Sequence, residues 1–124
     1  MNIIKKLDDH RVIPTETCGD FVEILRNGEY EKLDLGIVRN IAPTKGHYHE
    51  RSDEIYFVLD GEITVSLFDP RDKTRRTVRL TANELCAIKV GTHHKVSAAS
   101  NVNRICVITV PKWDEEDEHL SEIL

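Results

Sequence analysis

Residues 45–61, KGHYHERSDEIYFVLDG, hold two histidines one residue apart, a glutamate five residues beyond the second, and a closing glycine. Alternate residues of a β-strand point to the same side, so His47 and His49 can face one point. Glu54 begins the next run and returns beside the two imidazoles if the chain forms a hairpin at ERSD. Imidazole nitrogens together with a carboxylate suit a divalent transition metal. The stretch therefore predicts a metal site at the mouth of a strand.

Hydrophobic alternation with a period of two extends over most of the chain. In EITVSLF, residues 62–68, the isoleucine, valine and leucine share one face. RICVITV, residues 104–110, is apolar on both faces, which is typical of a strand packed on two sides. Turn residues separate such runs, as at Asn27-Gly28 and Asp60-Gly61. Many short strands with frequent turns predict an all-β sandwich or barrel.

The pattern favours a helix only at the ends of the chain, most clearly in DEEDEHLSEIL after Trp113. Its acidic residues suit the first turn of a helix, and Leu120, Ile123 and Leu124 follow at helical intervals. We predict a short C-terminal helix whose acidic run is simply a solvated first turn. Trp113 itself is interpreted as a lid over one end of the barrel.

Composition and charge exclude several classes of protein. The 124 residues are 40% apolar and 31% charged, which predicts one globular domain over residues 1–124. A formal charge of −5 argues against a nucleic-acid partner. The first residues, MNIIKKLDDHRVIP, lack a long apolar core followed by small residues, so we expect no secretory signal, and no apolar run approaches membrane-spanning length. Three scattered cysteines without a CxxC pair favour a reduced, cytoplasmic protein.

Three ligands leave a metal site under-filled, and VGTHHK, residues 90–95, offers a fourth. His93 and His94 are adjacent, so only one of them can point into the barrel if this run is a strand. We choose His94, because Val96 and Ala98 then share its face and suit an interior. His93 is expected on the opposite face or at the rim.

With these residues in place, the chain resembles a small single-domain cupin of the sugar-isomerase-like branch. The first motif of that family is a glycine, five residues, HxH, three or four residues, Glu, six residues and Gly. This sequence supplies His47, His49, Glu54 and Gly61 at those spacings. Ile41 stands in place of the leading glycine.

The second cupin motif is present in degenerate form. It runs Gly, five residues, Pro-x-Gly, two residues, His, three residues and Asn. Gly91 and His94 match, whereas Asn83, Lys89 and Ala98 replace the other motif residues. These departures fall on turn residues and leave the ligands intact.

The resemblance implies an antiparallel double-stranded β-helix, the jelly-roll barrel of cupins, with the metal at one end. It implies that the cofactor is a divalent transition metal, which the donor atoms allow to be Mn, Fe, Ni, Zn or Co. It also implies a homodimer formed through the sheets and a small-molecule substrate. The expected ligands are His47, His49, Glu54 and His94.

The first functional hypothesis is a metal-dependent enzyme that acts on a small polar metabolite. The resemblance favours a sugar or sugar-phosphate isomerase or epimerase, in which a nearby base moves a proton between carbons. Tyr56, one strand period from Glu54, and Lys45, one period before His47, are the candidate proton-transfer residues.

Other hypotheses remain open. A phosphorylated substrate would require arginines at the mouth of the site, for which Arg51 and Arg104 are candidates. The same four ligands would also support an iron-dependent dioxygenase. A third hypothesis is a non-catalytic cupin that binds a small molecule.

Overall fold

The computed structural model describes residues 2–6, 11–25 and 29–124. These residues fold into two antiparallel sheets that enclose one hydrophobic core, so the predicted all-β jelly-roll barrel is confirmed. The turn predicted at Asn27-Gly28 lies outside the described residues. Nowhere in the described ranges is a helix long and apolar enough to cross a membrane.

The first sheet has six strands. In chain order they are β1 Val12–Thr15, β2 Gly19–Leu25, β3 Asp34–Arg39, β5 Asp53–Asp60, β8 Leu85–Ile88 and β10 Arg104–Val110. Side by side in the sheet they run β1-β2-β3-β10-β5-β8.

The second sheet has five strands. They are β4 His47–Tyr48, β6 Glu62–Asp69, β7 Thr74–Thr81, β9 His93–Ala99 and β11 His119–Leu120. Their spatial order is β11-β4-β9-β6-β7. The short strands β4 and β11 lie at the edge of this sheet that is nearest the C-terminus.

Strand alternation decides which side chains enter the barrel. In β6, Ile63 and Val65 are fully buried, as the period-two pattern predicts. In β5 the buried set is Glu54, Tyr56 and Val58. A carboxylate therefore shares the inward face of its strand with core residues, and burying it is costly unless it finds partners.

Strand β10 is central in its sheet, paired with β3 on one side and β5 on the other. Its residues Ile105, Val107 and Thr109 are buried in the barrel, but Cys106 and Ile108 on the opposite face are only half-buried. Within the described part of one chain the strand is therefore fully packed on its inner face and only partly on its outer face.

A buried asparagine joins two loops at the end of the barrel opposite the histidines. The Oδ1 atom of Asn103 accepts from the backbone N–H of Ile41 at 3.0 Å, and its Nδ2 donates to the carbonyls of Ile41 and Ser100. Gly61 lies nearby with a φ of +77°, and a Cβ there would lie 2.3 Å from the carbonyl oxygen of Val102. Gly61 thus adopts a positive φ, which a residue without a Cβ does at no steric cost, between the strands that its turn was predicted to separate.

The C-terminal helix is present only as one turn of 3-10 helix, Glu115–Asp117, and the chain then continues as β11. Leu120 and Ile123 are largely exposed, so their helical spacing does not form an apolar face that packs on the core. Asp117 instead points inward, and its carboxylate accepts from the N–H groups of Glu50 at 2.8 Å and Arg51 at 3.0 Å. These long-range hydrogen bonds override the helical pattern.

Candidate metal centre

The structure brings the four predicted ligands together inside one end of the barrel. Each of the four offers one ligand atom, and these atoms lie within 4.8 Å of one another. They come from His47 on β4, His49 directly after β4, Glu54 on β5 and His94 on β9. Two atoms bound to one ion at about 2.2 Å can be at most about 4.4 Å apart. The largest separation exceeds this limit by a few tenths of an ångström, so small side-chain movements would be needed for all four to hold a single cation.

Backbone carbonyls fix the orientation of two imidazoles. The Nδ1 atom of His49 lies 3.0 Å from the carbonyl oxygen of Asp117, and that of His94 lies 3.0 Å from the carbonyl oxygen of Thr92. Since a carbonyl only accepts, each Nδ1 carries a proton, which leaves each Nε2 as the nitrogen able to bind a metal. Both Nε2 atoms point toward Glu54, at 2.9 Å for His49 and 3.5 Å for His94.

Several buried donor atoms at the centre have no hydrogen-bond partner among the described residues. They include the Nε2 atoms of His47, His49 and His94 and the Oε1 atom of Glu54. Such groups are costly to bury unpaired. Their convergence on one point, where Glu54 lies within 3.5 Å of the Nε2 atoms of both His49 and His94, fits a donor set for a cation.

The charge states of these groups also suit a cation. Burial, together with repulsion from His94, lowers the pKa of His47 to about 3, so this imidazole is neutral at pH 7. Burial opposes a charge on His49, but hydrogen bonding and attraction from Glu54 raise its pKa. Burial alone would raise the pKa of Glu54. Hydrogen bonds and attraction from His49 and His94 outweigh burial and hold this pKa well below its usual range. A bound cation would replace the proton shared with His49.

A cavity of about 590 Å³ opens at this end of the barrel, and His47, His49 and Glu54 line it. One part of its wall is apolar, with Ile13, Phe21 and Leu25 from β1 and β2. Trp113 lines the cavity as well, in agreement with its predicted place over the barrel end. Its backbone N–H donates to Asp34 at 2.9 Å.

The neighbouring histidines lie outside the cluster. His93 stacks on Tyr48 with ring centroids 4.3 Å apart, and its Nδ1 lies 2.7 Å from the hydroxyl of Ser121. His119 stacks on the other side of the same tyrosine at 5.1 Å. The choice of His94 over His93 thus agrees with the strand geometry.

The two proposed proton-transfer residues occupy very different places. Tyr56 is buried beside the centre, and its hydroxyl interacts with Glu54 and Cys18. Burial, reinforced by Glu54, raises the pKa of Tyr56 well above its usual value, so the hydroxyl keeps its proton. Lys45 is exposed, lies 3.5 Å from Glu16 and is not among the residues that line the cavity. As proton-transfer groups both stay predictions.

Sequence reasoning missed the segment that covers the cavity. We define the C-terminal strap as residues 113–118, all of which except Asp117 line the cavity. Within it, Glu118 accepts a hydrogen bond from the hydroxyl of buried Thr17. Cys18 also lines the cavity, with a pKa raised well above its usual value by burial. No local pattern marks Thr17 or Cys18, because each takes its role from strands distant in the sequence.

Solved structures share this architecture at low sequence identity. A protein from Planctomyces limnophilus is 21% identical, with a TM-score of 0.78 and 96% of each chain covered. A variant of Streptomyces PAC13 with uridine is 15% identical, with a TM-score of 0.79 over 98% of this chain and 92% of that one. PAC13 is described as a nucleoside dehydratase. Such identities show the fold alone.

Oxalate decarboxylase from Bacillus subtilis is also similar, at 15% identity and a TM-score of 0.76. The match covers 97% of this chain and 33% of that one. No curated protein sequence matches the chain. Residues 39–111, more than half of the chain, match the Cupin_2 family of cupin domains. The chain therefore belongs to the cupin family.

Proposed function

We propose that this cupin is a metal-dependent enzyme that isomerises or epimerises a small polar metabolite. One observation supports the metal: four buried ligand atoms, several without a hydrogen-bond partner in the described structure, converge where a cavity opens. His47, His49, Glu54 and His94 would hold a divalent ion such as Mn, Fe, Ni, Zn or Co. When bound, that ion supplies electrostatic stabilisation of negative charge on substrate oxygen atoms.

The residues around the ion would divide the remaining work. Glu118 lines the cavity and is held by Thr17, so its carboxylate is placed to take a proton from a substrate carbon. Tyr56 keeps its proton and interacts with Glu54, so it remains a candidate proton donor beside Glu118. Trp113 and the strap would limit the access of water to the cavity.

Proton transfer next to a carbonyl can be tested before the substrate is known. Incubating the metal-loaded protein with aldoses and ketoses in D2O is expected to give NMR-detectable deuterium at a carbon next to the carbonyl. A chelator should abolish this exchange, and Glu118→Gln should slow it by roughly 10²–10⁴-fold, the usual contribution of a general base. Glu122→Gln, at an exposed residue outside the cavity lining, is the matched control.

Other outcomes of the same experiment distinguish the alternatives. Exchange that persists after complete metal removal would contradict the proposal. Oxygen uptake with iron but not with manganese would favour a dioxygenase. Saturable binding of a small molecule by the metal-loaded protein, without turnover or exchange, would favour a non-catalytic cupin.

We also propose a homodimer, and the outer face of the six-stranded sheet supports it. Cross-strand neighbours Ile37, Cys106 and Phe57 form one half-buried row on this face, and Leu35, Ile108 and Ile55 form a second. An apolar band of this extent is typical of an interface between proteins.

If the protein is a homodimer, light scattering of the unmodified protein should give the mass of two chains. Ile108→Glu would place a charge in the middle of the band and is expected to give the mass of a single chain. Thr77→Glu, on the exposed strand β7 of the other sheet, should leave the mass unchanged. A single-chain mass for the unmodified protein would contradict the proposal.

The three free cysteines are consistent with the reduced, cytoplasmic location that we propose.

A further inference from the structure

Carboxylates dominate the polar lining of the cavity above the metal centre. Besides Glu54, six of them line it: Glu23, Asp34, Asp114, Glu115, Glu116 and Glu118. The described lining residues include no lysine or arginine. We call these six carboxylates the acidic wall. Fully buried His47, whose Nε2 has no partner among the described residues, lines the same cavity, so the acidic wall faces the candidate metal centre.

The two arginines considered for phosphate recognition, and the proton-transfer candidate Lys45, lie outside the cavity lining. The Arg51 guanidinium lies 2.8 Å from Asp114. Arg104 pairs with Asp60, and Lys45 lies 3.5 Å from Glu16. None of these three lines the cavity.

The balance of charge stays negative even with a metal in place. Three neutral imidazoles, one carboxylate and a divalent ion sum to a single positive charge. Arg51 offsets the charge of Asp114. Even when Glu23 and Asp34 are left out of the count, the carboxylates of Glu115, Glu116 and Glu118 outweigh that single charge among the described lining residues. Charges of one sign along a cleft set the sign of the molecules that it concentrates. An anion would enter against this field, whereas a neutral or cationic molecule would not.

We infer that the acidic wall makes this site select an uncharged or cationic polar molecule and exclude phosphorylated or carboxylated ones. The inference rests on the proposed metal-dependent function and narrows its substrate class. The charge of the acidic wall suits neutral sugars and amino sugars and opposes sugar phosphates. Trp113 adds an apolar surface against which a neutral ring could pack.

The test uses Co(II)-loaded protein and three metal-binding probes of graded charge: imidazole, azide and oxalate. Binding is followed by the visible spectrum of Co(II) and by the fluorescence of Trp113, the one tryptophan of the chain. The key variant is Glu115→Gln/Glu116→Gln, which removes two exposed carboxylates of the lining with little expected effect on folding. Its control, Glu31→Gln/Glu122→Gln, removes two exposed carboxylates that do not line the cavity.

At low ionic strength, the lining variant is expected to bind oxalate roughly tenfold more tightly and azide about threefold more tightly. Imidazole affinity should stay within about twofold in every protein. Unchanged oxalate affinity in the lining variant, or an equal gain for imidazole, would overturn the inference while leaving the metal proposal intact. A protein that takes up no cobalt contradicts the metal proposal itself, and the inference falls with it.

Discussion

Alanine in place of His47 or His94 is expected to eliminate stoichiometric metal from the purified protein. Each substitution removes one ligand of four and leaves its neighbours facing a void, since both imidazoles are fully buried. Changing a residue that only supports a ligand typically costs 10–100-fold in metal affinity, so loss of a ligand should exceed about 100-fold. Elemental analysis of native, freshly purified protein measures this directly.

His93→Ala is the matched control, because His93 is adjacent in sequence but packs on Tyr48 outside the cluster. Its metal content should equal that of the unmodified protein. Metal retained by His94→Ala and lost by His93→Ala would reverse our assignment of the fourth ligand. Circular dichroism of each variant separates loss of metal from loss of fold.

The second large effect is expected from Asp117→Asn. The buried carboxylate of Asp117 accepts from two backbone N–H groups, and an amide would set an N–H donor against one of them. Leaving a buried donor unpaired costs about 1–3 kcal/mol of unfolding free energy. Because the carbonyl of Asp117 accepts from His49, the variant should also bind metal roughly 10-fold more weakly.

Urea unfolding at several pH values checks this prediction further. Hydrogen bonds from Glu50 and Arg51 outweigh the opposing effect of burial and lower the pKa of Asp117 below its ordinary value of 3.8. Its ionised form therefore stabilises the fold above that pH, and this stabilisation is lost as the pH falls below it. The difference between Asp117→Asn and the unmodified protein should shrink in acid.

Asp114→Asn provides the comparison within the same strap. Asp114 is partly exposed, and its ion pair with Arg51 is solvated, so the substitution should change stability by no more than about 1 kcal/mol. Equal losses for the two variants would show that burial of Asp117 is not the source of the effect.

The convergence of the proposed ligands could be predicted because their side chains follow strand parity. Glu54 shares the inward face of β5 with Tyr56 and Val58, and His94 shares that of β9 with Val96. A period of two is a local property, so it can be read from the sequence alone. Lys45 shows the limit of this rule, since β4 begins only at His47 and alternation does not extend back to residue 45.

The strap could not be predicted, because its conformation depends on contacts far away in the sequence. Its acidic residues match the first turn of a helix, and that local preference is realised only over Glu115–Asp117. The groups that hold it, the N–H groups of Glu50 and Arg51 and the hydroxyl of Thr17, become available only when the barrel closes. The acidic lining of the cavity was missed for the same reason.

The proposed ligands come from both sheets, with Glu54 on the six-stranded one and His47 and His94 on the five-stranded one. All three side chains are almost completely buried, so we expect a bound ion to leave slowly. Exchange of one metal for another would then be slow as well. The element found in the protein would record which ion was abundant when the chain folded, more than which ion it binds most strongly.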